Sequence, residues 1–452
     1  MTTGTTRPGT AAGTSNSAVQ SFQEIPRKPD AGSRAGVGRG QLVHVTVLLG
    51  LVNMFNALDR SALSILIEPI KADLGLSDTQ LGILTGFAFS LTYALFGIPL
   101  ARLADTRSRV KLLSACLAVW SFATAVAGLA HNFVQLALTR IVVGIGEAGG
   151  SPASVSILGD YYTPEERSRG MSWFQLGGAA GGSLGLGLVG VVAEHYGWRV
   201  AFFTMGLPGV LLAVVLLTTL GEPPRGRFQS SSERFDTDIA WYQAVGQVLG
   251  RRTMRHVLIA YGIAAFGGAG VGAWFGAFFV RSHGMSLSEV GALLGVVAGL
   301  GTFAGAMLGV AFGPKAVRRD RRWELWWPGG GYLAVVPTYM LSLYLDDIFV
   351  VCAMLAFTVV VSSSCVGLVL TSIQSVLPAH LRGMGTAAIM FATSLVGVGG
   401  GPLLIGLLSD ALAPALGGES LRYAMILGVS FIGWGAIHFF IASKHFRDEL
   451  VS

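Results

Sequence analysis

Apolar runs of about 20 residues or more recur along almost the whole chain, each closed by a short polar connection. A helix crosses the hydrocarbon core of a bilayer with ~20 such residues, and only helices or closed barrels satisfy their own backbone there. Candidate spans lie near 42–68, 79–104, 110–131, 135–160, 168–193, 198–220, 255–282, 287–313, 323–345, 348–377, 384–412 and 421–445. The composition can supply twelve of them: 52% of the 452 residues are apolar and only 12% are charged, whereas soluble domains carry about 25% charged residues. An ordinary soluble enzyme is therefore excluded. The expected fold is an all-α polytopic membrane protein with twelve transmembrane helices in two pseudo-symmetric six-helix bundles.

Residues 1–40 are rich in Thr, Ser, Gly, Ala and Arg and lack large apolar residues, so they read as a disordered cytoplasmic tail. That tail lacks the order of a cleavable signal, and the first span is expected to serve as the targeting element. The longest polar interruption, 221–254, contains Pro223-Pro224 and Ser230-Ser231-Ser232. It divides the chain into bundles at 41–220 and 255–445, with a second short tail at 446–452. Distributing Lys and Arg over the alternating loops tests this topology. One side collects 25 of the 31, from Arg7 through Arg447, and the other only Lys71, Arg199, Arg281 and Arg422. Both termini are thus expected in the cytoplasm. The net charge of +6 reflects this sidedness, not nucleic-acid binding, and the Arg318–Arg322 cluster suits anionic membrane lipids. An excess of Arg over Lys, 26 to 5, points to a GC-rich bacterial gene and so to the inner membrane. A weak repeat supports the division: Arg169-Gly170-Met171 opens the fifth span and Arg382-Gly383-Met384 the eleventh, as in duplicated transporter folds.

Charges within the membrane are costly, about 2.5–3.5 kcal/mol each on insertion scales, so the few present are functional candidates. Asn53, Asn56, Arg60 and Ser64 share one face of the first span, and Arg140, Gly144, Glu147, Ser151 and Ser154 one face of the fourth. Asp59 cannot face its neighbour Arg60 on the same helix and needs a partner elsewhere. The expected solution is a cluster of Asp59, Arg60, Arg140 and Glu147 between spans one and four. Its two acids and two bases cancel, and burial set against nearby arginines allows Glu147 or Asp59 to exchange a proton; a permanent salt-bridge network that only fixes helix register is the alternative. Arg60, with a planar fork suited to phosphate or carboxylate, is the expected substrate anchor and Arg140 the runner-up. Asn53, Asn56 and, in the second half, Thr371 are further candidates for binding; Ser372, Gln374, Thr393 and Ser394 fit helix packing equally well. One charged anchor in apolar walls suits an amphiphile.

These residues carry a resemblance. The body of the chain, about 42–445, resembles the major facilitator superfamily, and its first half the Spinster branch of lysolipid and sphingolipid transporters. The matching stretches are Asp59-Arg60, Thr139-Arg140 through Gly146-Glu147-Ala148, Leu158-Gly159-Asp160-Tyr161-Tyr162, Arg167-Ser168-Arg169 and Gly197-Trp198-Arg199. The resemblance implies the major facilitator fold, proton-linked Asp59 and Glu147, a head-group anchor at Arg60 and a structural or relay role for Arg140. Ala101 to Arg109 resembles the superfamily's gating signature, which implies gating roles for Asp105 and Arg109, with Asp105 near a helix N-terminus. Ala101, Thr106 and Ser108 depart from that signature, and span five lacks the proline of the antiporter motif.

The expected activity is secondary active export of a lysophospholipid or sphingosine-phosphate-like lipid, proton-coupled, by alternating access. The alternative is a proton-coupled transporter or efflux pump for small organic anions or drugs. No catalytic spacing of Ser, His and Asp, no metal-ligand set and no P-loop is present in the sequence, so neither an enzyme nor a cofactor is expected. Cys116, Cys352 and Cys365 lie in apolar stretches and read as small hydrophobes. The expected partners are an anionic or zwitterionic lipid substrate, protons and membrane lipids, with no nucleic acid, and the chain is expected to act as a monomer.

Overall fold

A computed structural model describes residues 1, 2, 4, 38–228 and 241–451. The expected tail, apart from its last residues, and 229–240 of the expected linker lie outside the described residues. Twelve long helical segments follow one another: α1 (Arg39–Leu74), α2 (Asp78–Thr106), α3 (Arg109–Ala127), α4 (Phe133–Tyr161), α5 (Arg167–Tyr196), α6 (Trp198–Thr219), α7 (Arg252–His283), α8 (Leu287–Arg319), α9 (Trp323–Tyr344), α10 (Ile348–Val376), α11 (379–416) and α12 (Ser420–Phe446). A short helix, Trp241–Gly250, precedes α7. Polar N-caps fix where several helices begin. Ser77 with Gln80 and Ser286 with Glu289 form capping boxes that start α2 and α8. Asn132 and Asp347 cap α4 and α10 through their side-chain oxygens. Gly75 ends α1 at φ 63°, a left-handed conformation that a side chain would resist.

Three cores organise the bundle. One, around Leu113, Leu117 and Trp120, belongs to α1–α6, and another, around Val369, Ile373 and Phe439, to α7–α12. The third joins the halves and contains Leu66 and Ile70 of α1 with Trp274 and Phe278 of α7. It lies at the end of the molecule opposite the chain termini, called here the far end. Every hydrogen bond between the halves among the described residues is also found there.

Two helices depart from the α-helical period. Ile83–Phe87 of α2 and Ala392–Gly400 of α11 are π-helical, and the two turns pack on one another across the halves. Gly86 makes this possible: a Cβ there would stand 2.6 Å from the Val398 carbonyl oxygen and 2.8 Å from that of Gly399. π-turns recur at functional sites.

Candidate functional site

The intramembrane charges meet at the contact of α1 with α4. Arg60 Nε donates to Glu147 Oε2 at 2.8 Å, and Asn56 Nδ2 donates to the same oxygen at 2.9 Å. The Arg60 guanidinium lies over the rings of Tyr93 (4.6 Å) and Phe89 (5.1 Å), and that of Arg140 lies 5.5 Å from the Phe89 ring. Gly144 allows this stack to form: a Cβ there would come within 2.6 Å of the Phe89 carbonyl, so α2 and α4 could not approach as closely. Glu147 is wholly buried and Asp59 and Arg140 nearly so, whereas 39% of the Arg60 side chain is exposed. One oxygen of Asp59, one of Glu147 and the Arg140 Nε have no hydrogen-bond partner among the described residues. The two acids therefore each keep a buried oxygen free of protein donors among the described residues.

Arg60 also lines a central cavity of about 340 Å³ between the halves. Ser61, Ser64, Thr85 and Tyr339 add hydroxyls, and the rest of the lining is apolar, with Leu186, Phe275, Leu294, Leu355, Val359 and Pro402 among it. Not every expected binding residue reaches this space. Asn53 shares a helix face with Arg60, yet its Nδ2 donates to the Phe174 carbonyl at 2.9 Å and ties α1 to α5. Thr371 is exposed and donates to the Gly367 carbonyl of its own helix at 2.9 Å, away from the cavity lining.

The two expected gating residues behave differently. Arg109 is buried and holds α3, α4 and the segment after α6 together by donating to Asp160, to Ser156 Oγ at 3.1 Å, to Glu222 Oε1 at 2.8 Å and to the Pro223 carbonyl at 2.7 Å. None of these partners lies in the second half. Outside the span, Glu222 is held below the usual carboxylate range: desolvation pushes it up, but the Val110 amide and the Ser108 and Arg109 side chains outweigh that. Asp105 lies in the last turn of α2, not at a helix N-terminus, and its carboxylate is exposed. Arg225 supplies a tie that the sequence does not announce. It donates to the carbonyls of Ala104 and Asp105 at 2.8 and 2.6 Å and to that of Arg107, capping the end of α2.

A second charged group, absent from the sequence-based candidates, seals the far end. The Arg281 guanidinium on α7 reaches both oxygens of Asp78 on α2 and Oε1 of Glu68 on α1, each at 2.7 Å. Asp78 is further held by Lys71 at 2.5 Å and Ser409 at 2.6 Å. Asp410 of α11 accepts the amides of Asp78 and Thr79, at 3.1 and 2.8 Å. These are the free amides of the first turn of α2, where a carboxylate is favoured. The cavity is thus closed at one end by contacts that link the halves.

Residues 49–402 match the Major Facilitator Superfamily. The chain belongs to this superfamily. It is 31% identical over 408 residues to an MFS-type efflux pump of Mycolicibacterium smegmatis, covering 89% of this chain and 93% of that one. Protein spinster homolog 1 of Xenopus tropicalis is 25% identical over 92% of this chain and 82% of its own. Among solved structures, a bacterial homolog of the human lysosomal transporter Spinster, in an inward-facing and unoccupied conformation, superposes with a TM-score of 0.82 at 28% identity, covering 92% of this chain and 99% of that one. The protein is a multi-pass membrane transporter of this superfamily that resembles Spinster proteins, and not an enzyme.

Proposed function

We propose that the protein exports an amphipathic lipid, lysophospholipid or sphingosine-phosphate-like, from a bacterial inner membrane by proton-coupled alternating access. The observation that carries this reading is the central cavity: one partly exposed guanidinium in a lining that is otherwise largely apolar and aromatic. An anionic head would replace Glu147 on Arg60, as the planar fork accepts carboxylate or phosphate equally, and the chain would lie on Phe275, Leu294 and Leu355. Glu147, released from Arg60, would then take up a proton, with Asp59 and Arg140 keeping the buried charge balanced. Substrate and Glu147 would thus compete for one guanidinium, so that substrate binding and proton uptake by Glu147 are linked. The Arg and Lys bias supports cytoplasmic termini, and with them the far-end closure would correspond to a cytoplasm-facing state. The two halves would be the domains 41–220 and 255–445, which rock about the cavity.

A second reading has its own support, because a probable L-galactonate transporter of Escherichia coli is 34% identical over 43% of this chain and 43% of its own. A sugar acid would use Arg60 too, but its several hydroxyls would find only those of Ser61, Ser64, Thr85 and Tyr339 in the lining among the described residues. Flux of a labelled lysosphingolipid across proteoliposomes, with and without a proton gradient, separates the two. Gradient-driven lipid flux in the native protein, lost in Glu147→Gln and unaffected by excess galactonate, is expected. Galactonate flux without lipid flux would overturn the lipid reading.

A further inference from the structure

A second cavity, larger than the central one, lies elsewhere in the molecule. It is a crevice of about 880 Å³ between the terminus-side ends of α1 and α5, and it shares no residue with the central cavity. The contacts of α5 show which way it opens. Gly177 and Gly181 press on α1, Ser183 and Gly190 on α8, and Val189 and Ala193 are buried in the core that joins the halves. The remaining face carries Trp173, Leu176, Leu184 and Leu188, each more than half exposed. On a membrane-spanning helix such an apolar, outward stripe faces lipid. Val43 and Val47 of α1 form the opposite wall and are likewise more than half exposed.

The rim of this crevice is basic. Arg39 at the start of α1, Arg169 in the first turn of α5 and Arg227 after α6 all line it, with Glu166 the single acid. None of the three arginines forms an ion pair among the described residues. They sit at the level where the helices begin, which is the depth of lipid head groups, and Trp173 lies one turn further in, as interfacial tryptophans do. Below the arginines the Thr46 and Tyr162 hydroxyls, 2.5 Å apart, add a polar step before the apolar walls.

We propose that this crevice binds one diacyl phospholipid with a net negative head group, drawn from the leaflet at the terminus side. The phosphate would sit among Arg39, Arg169 and Arg227, and the acyl chains would cover Val43, Val47, Trp173 and Leu176. A zwitterionic lipid fills the same groove but brings its own cation against three guanidiniums, so charge selects the occupant. A basic residue near an anionic membrane surface contributes about fivefold in affinity, and three together about a hundredfold.

Native mass spectrometry of the purified full chain, titrated with phosphatidylglycerol or phosphatidylcholine of the same acyl length, tests this. The native protein is expected to retain phosphatidylglycerol at least tenfold better. Arg39→Gln, Arg169→Gln and Arg227→Gln combined should abolish that preference while leaving thermal unfolding in lipid-free detergent unchanged, and Ala180→Trp, which fills the groove, should reduce retention of both lipids. Equal retention by the native protein, or a preference that survives the triple variant, overturns the proposal. So does a preference that appears only after deletion of residues 1–37, because the crevice would then be covered by the chain's own tail.

Discussion

Removing Arg281 should convert the molecule to a form open at the far end. Its three contacts to Asp78 and Glu68, each at 2.7 Å, are charge-assisted and span the two halves. Hydrogen bonds to charged groups contribute about 1.5–3 kcal/mol apiece, but the sum must be discounted. Asp78 keeps Lys71 and Ser409 after the change, and Glu68, 21% exposed, can be rehydrated. Taking the low end and allowing for shared partners, Arg281→Gln should cost the closed form ~3 kcal/mol, or about 150-fold in the equilibrium. A far-open state populated at about 1 per cent would rise to roughly 60 per cent. Spin labels at Ala72→Cys on α1 and Ala415→Cys on α11, in a background without the native cysteines, report the separation across this end by pulsed electron resonance. The expected result is a second, longer distance that dominates in Arg281→Gln. An unchanged distribution in a variant that melts normally would show that the apolar core around Trp274 and Leu66 closes this end without the ion pairs.

Other tests address the cluster, the packing and the loops. Arg60→Ala should weaken binding of a lysophospholipid in calorimetry by at least tenfold, whereas Glu147→Gln, which frees Arg60, should preserve binding and remove the pH dependence of flux; unchanged flux in both would dismiss the cluster from transport. Gly144→Val should lower the melting temperature markedly, since its side chain meets the Phe89 carbonyl and Thr92; a stability equal to that of the native protein would refute the close approach of α2 and α4. Asp105→Ala should leave the terminus-side-open state intact, because the carboxylate is exposed there, and slow the return to the opposite state in cysteine-accessibility kinetics; identical rates would deny it a gating role. Asp320, between α8 and α9, is held down to about 2 by the Arg322 amide and then by the Arg322 and Arg447 guanidiniums. A depressed carboxylate stabilises above its unfolded value of about 4, and that stabilisation disappears as the pH falls through about 2. The difference in melting temperature between native and Asp320→Asn should therefore be full at pH 6 and shrink below pH 4, and a pH-independent difference would contradict the assignment.

The cluster of Asp59, Arg60, Arg140 and Glu147 was legible because charge within an apolar run is rare and the helical period assigns each one a face. Asn53 shows where that reasoning stops: the period gives a face, but not which neighbour occupies it, and the Phe174 carbonyl does. The far-end lock was not legible. Glu68, Asp78, Arg281 and Asp410 stand at helix ends, where charges are common, and Arg281 is separated by 203 residues from Asp78. Arg225 left no pattern at all, because its partners are backbone carbonyls that any residue provides.

The paired π-turns change how mutational scans of α2 and α11 must be interpreted. A turn closed from i to i+5 takes up one residue more than an α-turn, and one residue is about 100° of helix. A helical wheel drawn with one phase through 78–106 therefore misplaces every side chain beyond Phe87 by roughly a quarter of a circle. The same error enters 379–416 at Ala392. Periodic signals from cross-linking or accessibility along either helix should break phase at these turns, so each segment has to be fitted with its own origin.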